Sequence, residues 1–405
     1  MRHGMKGLLG SVILGVLLAH GNAFNVASTG HMGLLRNAGS RTTVARHRGQ
    51  ARPLSLLLST APSEGGRDGI LIVGGGPSGL GAALELDTIM NSELRGMWGG
   101  MGSTITVVEK MQPMSSYDPT KGFMYLVSEP GLKFCDRHGL SQTVAQEGVD
   151  GSTLNGNRIA IDGTRSKFTF SFGDIRAPYW LPRHGFVSIL ENAVRARPSV
   201  DLKDGWEVKE LRRVQDGGDT VVEALLHGPG GEQSTMRPFL IVGADGLSSV
   251  VRTSLSRWAA EDGDISGKFE MYETPSASGG LRYKVLKLKG SFPLPPAPAA
   301  KGAEARSSST RDMIEPDKSY SFLSRYQGSL KDKYRETRLG LLPLKERYGY
   351  RTANIITLPD HSIWTNATLS TQAGMKAFLS ESYPQMDWAS AVTEEELERF
   401  AKSPG

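Results

Sequence analysis

The sequence predicts an α/β fold in which a Rossmann-like βαβ domain is interleaved with a mainly antiparallel β domain. Three observations support this. A buried strand, a glycine turn and a helix pattern follow one another at 69–86, and a second buried strand enters an Asp-Gly turn at 239–246. Hairpin-like β segments lie between and after these two stretches. Parallel βαβ segments mixed with antiparallel β segments indicate a nucleotide domain with a β-rich layer inserted into it.

The first stretch carries a glycine motif between an apolar strand and an apolar helix pattern. Gly74, Gly76 and Gly79 form G-x-G-x-x-G. In this setting the first glycine allows a tight turn, the second lets a pyrophosphate approach the backbone, and the third lets helix and strand pack closely. Free N–H groups and a partial charge of about +0.5 at the helix start, where Pro77 and Ser78 lie, favour bound phosphates. The motif therefore predicts a dinucleotide site.

The next strand-like run, 103–110, is rich in β-branched residues and ends in Glu109 and Lys110. A carboxylate at that end of the strand would accept hydrogen bonds from a ribose. Glu109 lies thirty residues after Gly79, whereas about twenty is usual, and an inserted loop between about 90 and 102 fits the difference. An unrelated glutamate after a glycine-rich turn is the alternative.

Residues 1–63 contain no Asp or Glu and are interpreted as a leader that is cleaved or disordered. The apolar core at 8–19 resembles the hydrophobic region of a signal peptide, and the Ser/Thr/Arg-rich run that follows has the composition of a transit peptide. Joined at Ala23-Phe24, the two resemble the bipartite leader that sends proteins to algal plastids. The sequence predicts a plastid location, with secretion or a mitochondrial presequence as alternatives.

The leader also explains the charge of the whole chain, which has 47 Lys and Arg against 42 Asp and Glu. Without the seven basic residues of 1–63, 40 basic residues face 42 acidic ones. The near-neutral chain after residue 63 has no excess of positive charge of the kind that indicates binding to nucleic acid or to an anionic membrane. The apolar core at 8–19 is too short for a stable membrane span. A single cysteine, Cys135, excludes an intrachain disulfide and a cysteine metal cluster; we interpret it as a packing residue of a helix. No metal site is predicted.

The remaining elements follow in an uneven order. Predicted helices lie at 129–140, 183–197, 371–382 and 393–401. Predicted strands lie at 153–161, 167–172, 206–214, 220–226, 337–344 and 351–358, and the third and fourth form a hairpin through Asp216-Gly-Gly-Asp219. The Pro/Ala/Ser-rich stretch 291–310 is interpreted as a mobile surface insertion.

The Asp-Gly turn is the second constellation. Asp245 and Gly246 follow the buried strand 239–242, and a helix with Ser249 and Arg252 comes next. Gly246 permits a turn with positive φ, and Asp245 is short enough to bond neighbouring backbone amides. Taken alone, this turn is equally explained as a cap of the following helix.

Together the two motifs resemble the FAD-dependent aromatic hydroxylases, the single-component flavoprotein monooxygenases. The resemblance implies that the glycine motif binds the ADP half of FAD and that Asp245 and Gly246 lie near the pyrophosphate. A third match is Leu181–Leu190, which resembles the family's Arg-x-x-Leu-x-x-x-Leu helix start, with Phe186 where leucine is usual. The arginine of that motif, here Arg183, touches the flavin in the family.

Within the family the chain resembles the kynurenine 3-monooxygenase-like proteins of plants and algae. The segments Asp118–Leu126 and Gly280–Lys287 match in order, and Arg158 lies 25 residues before Arg183. That position is close to the arginine that holds the substrate carboxylate in the hydroxylase. Two departures stand against a kynurenine site of the usual kind. Phe170, Ser171 and Phe172 occupy the place where a substrate-binding tyrosine is expected, and the family's third flavin motif, Gly-Asp-Ala-Ala-His-like, is absent.

The resemblance implies an FAD-binding domain at 64–139 and 179–258 and a substrate domain at 140–178 and 259–390. The resemblance further implies that residues 391–405 begin a C-terminal segment of the FAD domain whose remainder is missing from this sequence. The implied reaction is hydroxylation of a small, kynurenine-like aromatic compound with O₂, through a flavin hydroperoxide and with NADPH or NADH as a transient reductant. No catalytic triad or acid pair is needed. A plastid epoxidase of a lipid-soluble ring such as a carotenoid, and a truncated non-catalytic FAD-binding relative, are the alternatives.

Overall fold

The computed structural model describes residues 68–92, 104–112, 123–151, 155–169, 176–263, 269, 280–296, 312–325 and 337–404. The chain divides into two compact units, each built from two stretches of sequence. The first comprises Met1–Met114 and Val187–Tyr272, and the second comprises Ser115–Phe186 and Glu273–Gly405.

The described residues form eighteen strands and nine α-helices. The strands β1 to β18 are Ile70–Val73, Ile105–Glu109, Met124–Val127, Val149–Asp150, Asn155–Ile159, Arg165–Thr169, Tyr179–Pro182, Val200–Asp204, Glu207–Asp216, Asp219–His227, Gln233–Met236, Leu240–Gly243, Arg282–Lys289, Phe292–Pro293, Met313–Ile314, Tyr320–Leu323, Arg338–Leu341 and Tyr350–Thr357. The helices α1 to α9 are Pro77–Met90, Glu129–Arg137, Ser141–Glu147, Arg183–Arg195, Val250–Glu261, Ser362–Thr365, Gln372–Ser382, Trp388–Ala391 and Glu394–Lys402.

The first unit is built on a four-stranded parallel sheet with the order β12-β1-β2-β8. Every residue of β1 is buried, as expected for a parallel strand that is covered on both faces. Helix α1 contacts β1 and β2. The antiparallel sheet β11-β10-β9 shares a hydrophobic core with the parallel strands. The carboxyl ends of β1, β2 and β12 therefore lie together at one edge, where ligands bind in open α/β sheets.

The second unit contains a six-stranded sheet with the order β13-β18-β17-β16-β5-β6, antiparallel except for the pair β16 and β5. Side chains from one face of this sheet share a hydrophobic core with helices α7 to α9, among them Leu286, Phe322, Ile355, Phe378 and Phe400. A three-stranded antiparallel sheet, β3-β7-β4, precedes α4. The predicted α/β class with a mainly antiparallel second domain is confirmed.

Most of the predicted elements are present, and three details differ. The helix predicted at 129–140 ends earlier, at Arg137, since Gly139 adopts φ +70° after it, and the separate helix α3 that follows was not predicted. The stretch from 291 is not a surface insertion at its start, since Phe292 and Leu294 are buried and β14 pairs with β15. The elements absent from the prediction are the strands β3, β4, β7, β8, β11, β14, β15 and β16 and the helices α3, α6 and α8. The rest of the predicted insertion, 297–310, lies outside the described residues, as do the leader and the segment 170–172.

The predicted domain boundaries stay a prediction, because they concern which residues serve the coenzyme. In the structure, residues 123–139 and 179–186 cluster with the second unit, although the sequence assigns them to the FAD domain. Helix α9, within the predicted C-terminal FAD segment, buries Leu397 and Phe400 in the core of the second unit. Among the described ranges, none of the helices has both the length and the apolar character that crossing a bilayer requires.

Candidate functional site

In the turn after β1, close packing of the backbone explains why two of the three motif positions are glycine. Gly74 has φ +104°, and a Cβ at this position would lie 2.4 Å from the carbonyl oxygen of Ala244. A Cβ on Gly79 would lie 1.8 Å from the carbonyl oxygen of Gly74. The turn, the start of α1 and the end of β12 therefore approach one another so closely that side chains at these positions are excluded.

Gly76 differs from these two glycines. It is the N-cap of α1 with φ −71° and ψ 178°, a conformation open to any residue, and no atom lies within 4 Å of its hypothetical Cβ. Neither the backbone nor the packing of the described residues requires glycine there. A glycine that leaves space at a helix N-terminus is what a closely approaching pyrophosphate requires.

The start of α1 is prepared for an anion in two further respects. Pro77 occupies the first turn, where its missing N–H leaves nothing unsatisfied. Gly76 provides no side-chain cap, and the first turn contains no acidic residue. The positive end of the helix dipole is therefore not neutralised by the helix itself. Ser78 and Gly79, predicted to take part in binding, are the next residues of this turn.

Glu109 ends β2, which pairs in parallel with β1, and its side chain points at the glycine turn. One carboxylate oxygen accepts a 2.7 Å hydrogen bond from the N–H of Gly75, and the other accepts one of 2.9 Å from the N–H of Met111. A carboxylate has about four lone-pair sites, so the two bonds leave acceptor capacity for ribose hydroxyls. The long spacing from Gly79 does not disturb this geometry. Lys110 follows and is exposed.

The Asp-Gly turn lies beside the glycine turn, because β12 pairs with β1 and the N–H of Ala244 donates to the carbonyl of Val73 over 2.8 Å. Gly246 has φ +74°, which confirms the predicted positive φ. The Asp245 carboxylate accepts hydrogen bonds of 2.7 Å from the N–H of Val250 and of 2.6 Å from the hydroxyl of Ser249.

These contacts make Asp245 a cap of helix α5, the alternative that the sequence left open. Ser249 adds the conventional N-cap by accepting a 3.0 Å bond from the N–H of Arg252. The Arg252 guanidinium in turn donates to the carbonyls of Gly246 and Leu247. The turn is thus fixed by internal bonds, and its position next to Gly74 makes it a wall of the glycine-motif site.

Arg183 begins α4 in the second unit and is exposed. Its N–H donates to the carbonyl of Phe123 over 2.7 Å, which joins the helix start to β3. Its guanidinium hydrogen-bonds the Tyr125 hydroxyl; burial raises the pKa of Tyr125, and the arginine offsets part of that rise. Arg183 therefore has a fixed tyrosine partner, and its predicted contact with a flavin stays a prediction.

Arg158 lies in the middle of β5 and is exposed. Its neighbour Ile159 is buried in the core of the second unit, so Arg158 projects from the opposite face of the six-stranded sheet. In the register of that sheet, Arg158 lies between Ser321 of β16 and Ser166 of β6. Arg158 is therefore part of a polar row on the sheet, and its predicted role towards a substrate stays a prediction.

Two contributors to the site were missed by sequence reasoning. Gly75 supplies the N–H that meets Glu109, and a Cβ on Gly75 would lie 2.7 Å from the Cβ of Glu109. The run of three consecutive glycines at 74–76 is the sequence feature that could have indicated this close contact. Tyr125 had no local signal, because its contact with Arg183 depends on the pairing of β3 with β7.

Residues 68–274, just over half of the chain, match the family described as "FAD binding domain". A 6-methylpretetramide 4-monooxygenase of Streptomyces rimosus is 27% identical over 196 residues, which are 47% of this chain and 41% of that protein. A para-nitrophenol 4-monooxygenase of Pseudomonas sp. (strain WBC-3) is 26% identical over 193 residues, which are 46% of this chain and 42% of that protein.

These matches span about two fifths of the length of the two relatives. Among solved structures, a p-nitrophenol 4-monooxygenase from Pseudomonas putida DLL-E4 aligns with a TM-score of 0.48 at 17% identity, covering 78% of this chain and 62% of that chain. The family match contains the glycine turn, Glu109 and the Asp-Gly turn. The chain belongs to the family of FAD-binding domains found in aromatic-hydroxylase-like monooxygenases.

Proposed function

We propose that this protein is an FAD-dependent monooxygenase that uses NADH or NADPH to hydroxylate a small aromatic compound. One observation carries the proposal: the position at Gly76 is open although neither conformation nor packing requires glycine, and it belongs to the turn that Glu109 contacts. The names of the two relatives describe 4-monooxygenases, one of them acting on para-nitrophenol, an aromatic ring. They support an oxygen-transferring role for the bound flavin.

The chain's own residues would hold the coenzyme by its ADP half. The N-terminus of α1 and the turn at Gly76 would bind the pyrophosphate, and Glu109 would accept the ribose hydroxyls. Reduced FAD, when bound, supplies the activation of O₂ for transfer of one oxygen atom to an electron-rich ring. The protein contributes binding, orientation and exclusion of water.

The reductant would bind transiently. The sequence contains one G-x-G-x-x-G in a strand–turn–helix setting, and it serves the flavin. The glycine-rich run at 228–232 forms a short 3₁₀ turn between β10 and β11. A separate domain for NADH or NADPH is therefore not part of the proposal.

For the substrate we propose an aromatic acid of the kynurenine type, anchored by Arg158. The row that contains Arg158 and Ser321 continues across the sheet through Gly340 to Asn354. A guanidinium offers a bidentate fork for a carboxylate, and hydroxyl and amide groups supply further polar contacts. The gap left by Gly340 in this row gives a flat ring access to the sheet surface.

The full-length protein tests this directly. It should bind FAD with a visible flavin spectrum, and kynurenine should stimulate NADPH or NADH oxidation more than para-nitrophenol does, with an oxygen atom from labelled O₂ in the product. Arg158→Ala should raise the KM for the acid by about tenfold or more, the size of one lost charge-assisted pair, and leave the KM for para-nitrophenol unchanged. Arg176→Ala, which removes an exposed partner of Asp136, is the matched control. A protein that stays colourless with added FAD would contradict the proposal.

We also propose that residues 1–63 direct the protein to plastids. Their acid-free composition and short apolar core support this, and they lie outside the described residues. A fluorescent fusion of 1–63 in an alga with complex plastids should accumulate there. Accumulation in mitochondria or in the medium would contradict it.

A further inference from the structure

A cavity of about 240 Å³ lies within the second unit, between β13, the segment 363–370 and the end of α9. Its lining includes the cationic residues Arg282, Lys284 and Lys402 and contains no aspartate or glutamate among the described residues. Arg282 and Lys284 have no carboxylate partner among the described residues, and two positive charges at one cavity repel each other unless something negative lies between them. The cavity is separate from the glycine turn, which belongs to the first unit.

Lys284 is the central residue of this cavity. Only 3% of its surface is exposed, and its ammonium group donates a 3.1 Å hydrogen bond to the carbonyl of Ala401. The ammonium also lies 5.8 Å from the ring centre of Trp364 and 5.1 Å from that of Phe400. A buried ammonium without a carboxylate partner is unfavourable. Burial and the charges of Arg282 and Arg399 lower the pKa of Lys284 to about 8.

The acidic residues of α9 that lie near Lys284 form ion pairs with other cations. Glu396 binds Arg399 and also accepts a 2.7 Å hydrogen bond from the N–H of Lys287. Glu398 binds Lys402 at 2.6 Å. Neither carboxylate is among the residues that line the cavity. The helix thus pairs its acids with other cations and offers Lys284 the Ala401 carbonyl of its last turn but no carboxylate.

Arg282 completes the arrangement. Its guanidinium stacks 4.5 Å from the ring centre of Trp364 and donates to the carbonyl of Pro404. These contacts hold the arginine at the cavity wall without neutralising it. Arg282 and Lys284 therefore supply two cationic donors, the kind that tetrahedral oxyanions prefer. The Ser370 hydroxyl belongs to the same lining, but it donates its proton to the carbonyl of Ala367.

We propose that this cavity is a binding site for a small oxyanion of the phosphate class, with Lys284 and Arg282 as its principal ligands. The volume greatly exceeds the roughly 30 Å³ share of one water molecule. Free phosphate and the phosphate group of a small monoester present the same chemistry. The site would tie β13 to the end of α9, so its occupation should stabilise the second unit.

Thermal unfolding of the FAD-saturated full-length protein in sodium phosphate, compared with sodium chloride at equal ionic strength, tests this proposal. Saturation with FAD keeps phosphate out of the glycine turn. At a phosphate concentration about 100 times the Kd, Tm should rise by about 5 °C or more. Phosphorylethanolamine is the second probe; whichever of the two gives the larger rise identifies free phosphate or a monoester as the preferred form.

Three variants make the result specific. Lys284→Met should abolish the phosphate effect while keeping a side chain of similar length in the buried position. Arg282→Gln, which leaves Lys284 in place, should weaken the apparent phosphate affinity about tenfold or more, the size of one lost charge-assisted contact. Lys289→Met, at an exposed position of the same strand outside the cavity lining, should keep the full shift. A Tm that responds equally to phosphate and chloride, or a phosphate shift that persists in Lys284→Met, would overturn the proposal.

Discussion

The carboxylate of Glu109 accepts a 2.7 Å hydrogen bond from the backbone N–H of Gly75, across 34 residues of sequence. The bond exists because β1 and β2 are parallel neighbours whose carboxyl ends lie at the same edge of the sheet. It fixes the acid beside the turn that precedes α1. The acid and the helix N-terminus thus form one preorganised surface for the ribose and diphosphate parts of a coenzyme.

Replacing Glu109 by Gln should weaken FAD binding. The amide keeps one acceptor oxygen but turns an NH₂ group towards a backbone N–H, so one of the two bonds to Gly75 and Met111 is lost. We expect the Kd for FAD to rise about tenfold, which corresponds to about 1.4 kcal/mol. Quenching of flavin fluorescence measures it. Glu207→Gln, at an exposed partner of Lys209, is the control; equal affinities of the two variants would contradict this role.

Alanine substitutions at Gly79 and Gly76 should have different effects on the free energy of unfolding. Gly79→Ala places a Cβ 1.8 Å from the Gly74 carbonyl oxygen, so backbone must move. We expect a loss of about 1–3 kcal/mol in the free energy of unfolding. Gly76→Ala has ordinary φ and no neighbour within 4 Å; its gain in chain entropy is offset because alanine is a poorer N-cap than glycine, so the free energy of unfolding should change by less than about 1 kcal/mol. Chemical denaturation of both proteins without FAD decides this, and equal losses would be inconsistent with the described packing.

Asp245 should prove to be a structural residue of helix α5. Asp245→Ala removes the acceptor for the Val250 N–H and the Ser249 hydroxyl and should cost about 1–2 kcal/mol of stability. Asp245→Asn retains a capping oxygen and should cost clearly less. Urea unfolding of the protein without FAD compares the two. Equal losses for alanine and asparagine would show that the cap is unimportant.

The parts predicted well from sequence are those encoded locally. The strand at 70–73, the glycine turn and α1 each have their own pattern, and the hairpin of β9 and β10 follows from alternation around Gly217 and Gly218. Strands β3 and β7 each have four residues and gain their identity from pairing with one another. Such pairing is not visible in a short apolar run.

The same contrast applies to the site. Gly74 and Gly79 were predicted with the correct roles, because the motif states which backbone must come close. The contact of Glu109 with Gly75 and the capping bonds of Asp245 depend on which strands are neighbours. For Asp245, local chemistry allowed a coenzyme role and a capping role equally. The geometry of α5 supplies the capping bonds.

The buried ammonium of Lys284 should make stability depend on pH in the alkaline range. Its pKa is about 8 in the folded protein and about 10.4 in an unfolded chain. The unfolded state therefore holds the proton more tightly, and raising the pH from about 8 to 10 relieves a penalty on the folded state.

The test compares unfolding free energies of the wild type and Lys284→Met in chloride buffer. Other groups that titrate in this range cancel in the difference. The unfolding free energy of the wild type, relative to that of Lys284→Met, should increase by up to about 3 kcal/mol between pH 8 and 10.5. Parallel pH profiles would show that the ammonium is not destabilised by its surroundings.

A substitution at the open position of Gly76 tests most directly whether the glycine turn binds the diphosphate of FAD. In Gly76→Val, the added side chain fills the space left for the diphosphate, while its backbone conformation remains suitable for valine. Titration of the full-length protein with FAD should give a Kd for this variant at least tenfold above that of the wild type, with unfolding free energies within about 1 kcal/mol of each other. Equal affinity of the valine variant and the wild type for FAD would contradict the binding of the FAD diphosphate at Gly76.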